Sequence, residues 1–120
     1  MNWKSLSRIE EVEDIAAQSA HKYCLIFKHS TRCSISALAK MRIESAWSFP
    51  LDKVEPYLLD LIAYRPVSNY IAEHFSVHHE SPQILLIRQG ECVLDASHLD
   101  IQVAEIEEVV AAAESALHGG

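Results

Sequence analysis

The sequence predicts an α/β fold, a four-stranded mixed sheet flanked by helices in the order αβαβαββα. Three observations carry this. Tyr23–Phe27 and Tyr57–Ile62 are short apolar runs of the kind that form buried strands. A helical stretch lies between them, which makes the two strands parallel. Two later strand-like runs flank Gln89-Gly90, a hairpin signal that makes that pair antiparallel.

Each element follows from local pattern. Ser7 to Ala20 reads as a helix, with Ile9, Val12, Ile15 and Ala16 on one face and Glu10 three residues after Ser7 as a capping box. Tyr23–Phe27 is the first strand, and the polar stretch Lys28 to Arg32 ends it. Ser34 to Ser45 is helical, with Ile35, Leu38, Met41 and Ile43 as its apolar positions. Trp47 to Lys53 is a connection punctuated by Pro50, and Tyr57–Ile62 is the second strand. Pro66, at a helix N1 position, opens a helix running to about Phe75. Val77 to Ser81 is a polar loop, Gln83–Arg88 the third strand and Glu91–Asp95 the fourth. Ile101 to Leu117 is a closing amphipathic helix, and His118-Gly119-Gly120 a frayed end.

At 120 residues the chain is expected to be one domain, 1–120, since two cores are hard to build at this size. Hydrophobic residues make up 49% and charged residues 22%, an ordinary globular composition. No apolar run approaches the ~20 residues of a membrane span. The start, Met1-Asn2-Trp3-Lys4-Ser5-Leu6, lacks the apolar centre of a signal peptide, so the expected location is the cytoplasm, away from membranes. A net charge of −7 argues against nucleic acid as the main partner. Between His21 and Ile43 there is no acidic residue, whereas Lys22, Lys28, Arg32, Lys40 and Arg42 give that stretch +5.

Cys33 lies in the positive stretch, after a strand and before a helix. The N-terminus of a helix offers unpaired N–H groups and about half a positive charge, both favouring a thiolate. Such surroundings bring a cysteine from about 8.5 to about 3.5–7.5. The thiolate is the nucleophile of thiol–disulfide exchange. Ser36 stands three residues on, where a CxxC oxidoreductase holds its resolving thiol. A serine there cannot close an internal disulfide, so a CxxS site holds a mixed disulfide until a second thiol releases it. The other reading of Ser36 is a polar residue on the first helical turn. There is no CxxC and no Cys/His spacing typical of zinc, so no metal site is expected.

The stretch Lys28-His29-Ser30-Thr31-Arg32-Cys33-Ser34-Ile35-Ser36 resembles the active-site segment of the YtxJ family, the monothiol bacilliredoxins, which carry a Thr-Cys-Pro-Ile-Ser type of motif. Glu80-Ser81-Pro82-Gln83 is similar to the same family, and Ala96-Ser97-His98 more loosely. Ser34 stands where the family often has Pro, and Arg32 is inserted before Cys33. The resemblance implies a thioredoxin-like fold and removal of bacillithiol from S-bacillithiolated client proteins, with Cys33 taking bacillithiol as a transient mixed disulfide. No bound cofactor is implied, and a low-molecular-weight thiol would regenerate Cys33. Thr31, Arg32, Ser34 and Ser36 would support the thiolate or the substrate, and Lys28, His29 and Arg32 could meet the malate carboxylates of bacillithiol. The resemblance also implies a cis bond at Ser81-Pro82, with the backbone of Ser81 pairing with the bound partner like an added strand. A glutaredoxin-like monothiol protein using another small thiol and a non-catalytic binding module are the alternatives. The Cys-Gly-Phe-Ser site and glycine pair usual in monothiol glutaredoxins do not occur here.

Cys24 and Cys92 sit in strand runs and read as structural thiols. His74, His78 and His79 read as a solvated loop, Trp3 and Trp47 as packing residues, and Glu105, Glu107 and Glu108 as the wet face of the last helix.

Overall fold

The structure is a computed structural model that describes residues 1–118. Its elements in chain order are β1 (Lys4–Leu6), α1 (Ile9–Gln18), β2 (Tyr23–His29), α2 (Ser34–Ala46), β3 (Val54–Asp60), α3 (Arg65–His74), β4 (Gln83–Arg88), β5 (Glu91–Ser97), a short 3-10 turn (His98–Asp100) and α4 (Val103–His118). The sheet is five-stranded, in the order β1-β3-β2-β4-β5. β1 and β2 run parallel to β3, and β4 is antiparallel to both β2 and β5.

The fifth strand corrects the expected count. Lys4–Leu6 is too short to show a period of two, and only Leu6 of the three is buried. What fixes it is Glu55 of β3, whose buried carboxylate forms ion pairs with Lys4 of β1 and Lys22 just before β2. β3 starts at Val54 rather than Tyr57 because Val54, Glu55 and Pro56 are in register with Tyr23, Cys24 and Leu25 of β2.

Side-chain alternation along each strand feeds two cores. Cys24, Ile26, Tyr57, Leu59, Leu85 and Ile87 face α1 and α3, where Val12, Ile15, Val67, Ile71 and Phe75 meet them. Leu25, Phe27, Val54, Ile84 and Leu86 face Ala39 and Ile43 of α2 and Ile106 and Val110 of α4. Trp3 lies 5.6 Å from Phe27 between ring centroids, and Trp47 lies 5.0 Å from Phe49, so both tryptophans pack.

Several expected ends move. The α1 cap is not Ser7 with Glu10: the N-cap is Arg8, and the backbone N–H of Ser7 donates instead to Glu11 Oε1 at 3.0 Å. β2 runs through Lys28 and His29, because both side chains find buried partners. Pro66 is the second residue of α3. Gln89 and Gly90 turn at φ of 53° and 77°, the left-handed pair of a type I′ hairpin, which glycine adopts without a steric penalty. Of the expected frayed end, Gly119 and Gly120 lie outside the described residues.

Candidate thiol site at the start of α2

Cys33 is the N-cap of α2, with φ −110° and ψ 122°. Its N–H donates to Ser30 O at 3.2 Å and its carbonyl accepts from Ala37 N–H at 3.0 Å, which sets the turn and the helix start. The N–H groups of Ser34, Ile35 and Ser36 form the open end of the helix, and no side chain caps them. The thiol is partly exposed, and Thr31, Arg32 and Ser34 around it are exposed. Among the described residues Arg32 joins no ion pair.

Ser36 is fully buried beneath this turn. Its Oγ accepts a hydrogen bond from the Ser30 backbone N–H at 3.0 Å and lies 2.6 Å from His29 Nδ1. Burial first, and the Lys40 charge second, lower the His29 pKa, so the ring is neutral near pH 7. The short contact then shares one proton, the serine hydroxyl donating to Nδ1 or Nδ1–H donating to Oγ. Ser36 therefore ties the end of β2 to the first turn of α2 and holds Cys33 by its frame.

Ser81 and Pro82 lie at the same end of the sheet. β2 and β4 are in register through Lys28 opposite Gln83, so Pro82 stands beside the end of β2 from which the Cys33 turn departs. The Ser81-Pro82 peptide is cis. Among the described residues, the backbone N–H and C=O of Ser81 take part in none of the loop hydrogen bonds, and Pro82 O accepts from His98 N–H at 3.0 Å. His98 holds φ 54° and points its Nε2 toward Glu80 Oε2 at 3.4 Å.

Two expected contacts need correction. Lys28 is 0% exposed on the α1/α3 side, so it cannot meet an anion from solvent. His29 is 8% exposed and committed to Ser36. The positive stretch also disperses: Lys22 pairs with Glu55 at the far end of the sheet and Lys40 with Glu44, leaving Arg32 as the exposed cation next to Cys33. His79 is half-buried against Lys28 and Ser68 rather than solvated, a grouping with no signal in the sequence. Cys24 is buried and Cys92 half-buried, and burial pushes both thiols up to about 11. A cleft of about 810 Å³ lined by Lys22, Tyr23, Pro50 and Arg88 is at the opposite end of the sheet, and no thiol lines it. Among the described residues no cluster of histidine, cysteine and acidic side chains has metal-holding geometry, and no helix is long and apolar enough to cross a membrane.

Comparison with known proteins fits this geometry. The family model of the monothiol bacilliredoxin BrxC matches residues 4–106, which take in the Cys33 turn, Ser36, Ser81 and Pro82. This chain belongs to the monothiol bacilliredoxin family. A solved structure described as a proposed oxidoreductase with a thioredoxin fold is 33% identical, with a TM-score of 0.73 over 88% of this chain and 90% of that one. The Malassezia sympodialis thioredoxin is 14% identical, with a TM-score of 0.70 over 92% of this chain and 89% of its own. The Fasciola hepatica thioredoxin is 15% identical, with a TM-score of 0.66 over 90% and 96%. The fold is thus thioredoxin-like, and this bacilliredoxin is a thiol–disulfide oxidoreductase.

Proposed function

We propose that this bacilliredoxin removes bacillithiol from S-bacillithiolated protein cysteines. The carrying observation is a partly exposed thiol at a helix N-cap with a buried serine where a second thiol would stand. The Cys33 thiolate attacks the bacillithiol sulfur of the mixed disulfide. The client's sulfur leaves as a thiolate and takes up a proton from water, and Cys33 keeps bacillithiol in a new mixed disulfide. A second low-molecular-weight thiol then attacks that bacillithiol sulfur, releasing Cys33 reduced. The open N–H groups of α2 stabilise the anionic sulfur at each step.

Arg32 is the side chain that meets a malate carboxylate of bacillithiol, being exposed beside the thiol and, among the described residues, in no ion pair. Client proteins are accommodated by exposed apolar side chains at the same end of the sheet: Ile35, Ile62, Tyr64 and Leu99. The setting proposed for this exchange is the cytoplasm.

The test mixes reduced protein with a bacillithiolated client and reads intact mass. A bacillithiol adduct is expected on the wild type and not on Cys33→Ala. Adduct formation from a glutathionylated client at the same rate would move the assignment to a less selective small-thiol transferase. An unchanged transfer rate in Arg32→Glu would remove the carboxylate contact.

A further inference from the structure

Lys28 takes no part in this exchange, yet it is a fully buried lysine that, among the described residues, pairs with no carboxylate. Its Nζ donates to the Ser68 carbonyl in α3 at 3.2 Å and lies 3.2 Å from His79 Nδ1. His79 Nδ1 is also 3.3 Å from Ser68 Oγ. Desolvation lowers the lysine to about 8, and desolvation with the neighbouring Lys28 charge lowers His79. A buried ammonium is a cost to folding that an apolar side chain of similar length avoids. Its use has to be sought in what it touches.

His79 stands two residues before Ser81. Gln83, opposite Lys28 in the β2–β4 register and equally buried, donates through Nε2 to the His78 carbonyl at 2.9 Å. Two neighbouring polar side chains on the sheet therefore grip consecutive residues, 78 and 79, of the segment 77–81. Within that segment only Val77 packs against a core.

We propose that Lys28 is a positioning residue for client docking: through His79 and Ser68 it fixes the segment 77–81, so that the backbone of Ser81 is held beside Cys33 for edge pairing with the polypeptide that carries the mixed disulfide. The role rests on the reading that Cys33 exchanges with protein mixed disulfides.

The test compares two reactions of Cys33 in the full chain. One is exchange with an extended peptide carrying a bacillithiol mixed disulfide, which needs the Ser81 edge. The other is alkylation by iodoacetamide, which does not. Lys28→Met is expected to raise KM for the peptide about three- to tenfold, the effect of one lost hydrogen bond. Its kcat and alkylation rate should stay within about twofold of wild type, and its Tm should not fall. His79→Leu releases the loop end alone and carries the same expectation should Lys28→Met fail to fold. An unchanged KM in the folded variants overturns the proposal, as does a parallel loss of alkylation and exchange. Wild-type protein that alkylates at Cys33 but exchanges with no peptide overturns the functional reading as well.

Discussion

Cys24 and Cys92 titrate at about 11 because burial withholds water from their thiolates, with Glu55 and Asp95 adding negative charge nearby. At about pH 7.5 less than about one in a thousand of either is ionised. Brief iodoacetamide treatment of the native protein should therefore label Cys33 alone, and urea should expose the other two; peptide mapping reads both. The Ser36 side chain supplies a second expectation at this scale. Residues three apart on a helical turn lie about 5–6 Å apart, which a disulfide spans. Ser36→Cys should close an internal disulfide with Cys33 on mild oxidation, lighter by two hydrogens in intact mass and unavailable to alkylation. Ser36→Ala should cost about 1–3 kcal/mol in urea unfolding, because the Ser30 N–H and His29 lose a buried partner.

β1 depends on the Glu55 carboxylate more than on its own three residues. Burial alone would raise the Glu55 pKa, but hydrogen bonds from Lys22 and Lys4 outweigh it and hold it below the usual carboxylate range. Its contribution to stability is therefore present above the unfolded value of about 4.3 and lost as pH falls through the folded value. Glu55→Gln should cost about 1–2 kcal/mol near pH 7, since the freed lysines can still reach water, and should flatten the acid side of a stability–pH profile measured by urea midpoints. The same pair explains what was legible at element scale. The apolar runs and the Gln89-Gly90 turn marked the central strands and the hairpin. The short edge strand depends on Glu55 in β3, and the extension of β2 through Lys28 and His29 depends on partners 40 and 7 residues away in the chain, Ser68 and Ser36.

Across the whole molecule the pH response also follows from buried basic groups whose charged form burial disfavours. Lys28 gives up its proton at about 8 when folded but near 10.5 when unfolded. The unfolded chain thus holds more protons between those values, and stability rises with pH through that window. Below the usual histidine value of about 6.5, His29 and His79 add the same sign: their depressed values make charging costly, so stability falls on acidification. Lys28→Met should be more stable than wild type by about 1–3 kcal/mol near pH 7 and should lack the alkaline rise. Urea midpoints at about pH 7.5 and 10 read both. That expected gain, with Lys28 bonded to His79 in the segment that leads to Ser81, fits a trade of stability for a held docking edge.

The sequence by itself determined the α/β class, the parallel and antiparallel pairings of the central strands, and Cys33 at the start of a helix with serine three residues on. These are local properties: strand and helix periods, turn residues, and the free N–H groups of any helix end. The tertiary structure decided which charges are at work. The +5 stretch around Cys33 looked like one basic surface, but β2 sends Lys28 into the α1/α3 face and His29 toward α2, and Glu55 claims Lys22. Only packing decides whether a polar side chain meets water, a carbonyl or a carboxylate, and that depends on residues far away in the chain. Arg32 keeps its surface position next to the thiol, and Ser36 becomes the buried tie that fixes the thiol's frame.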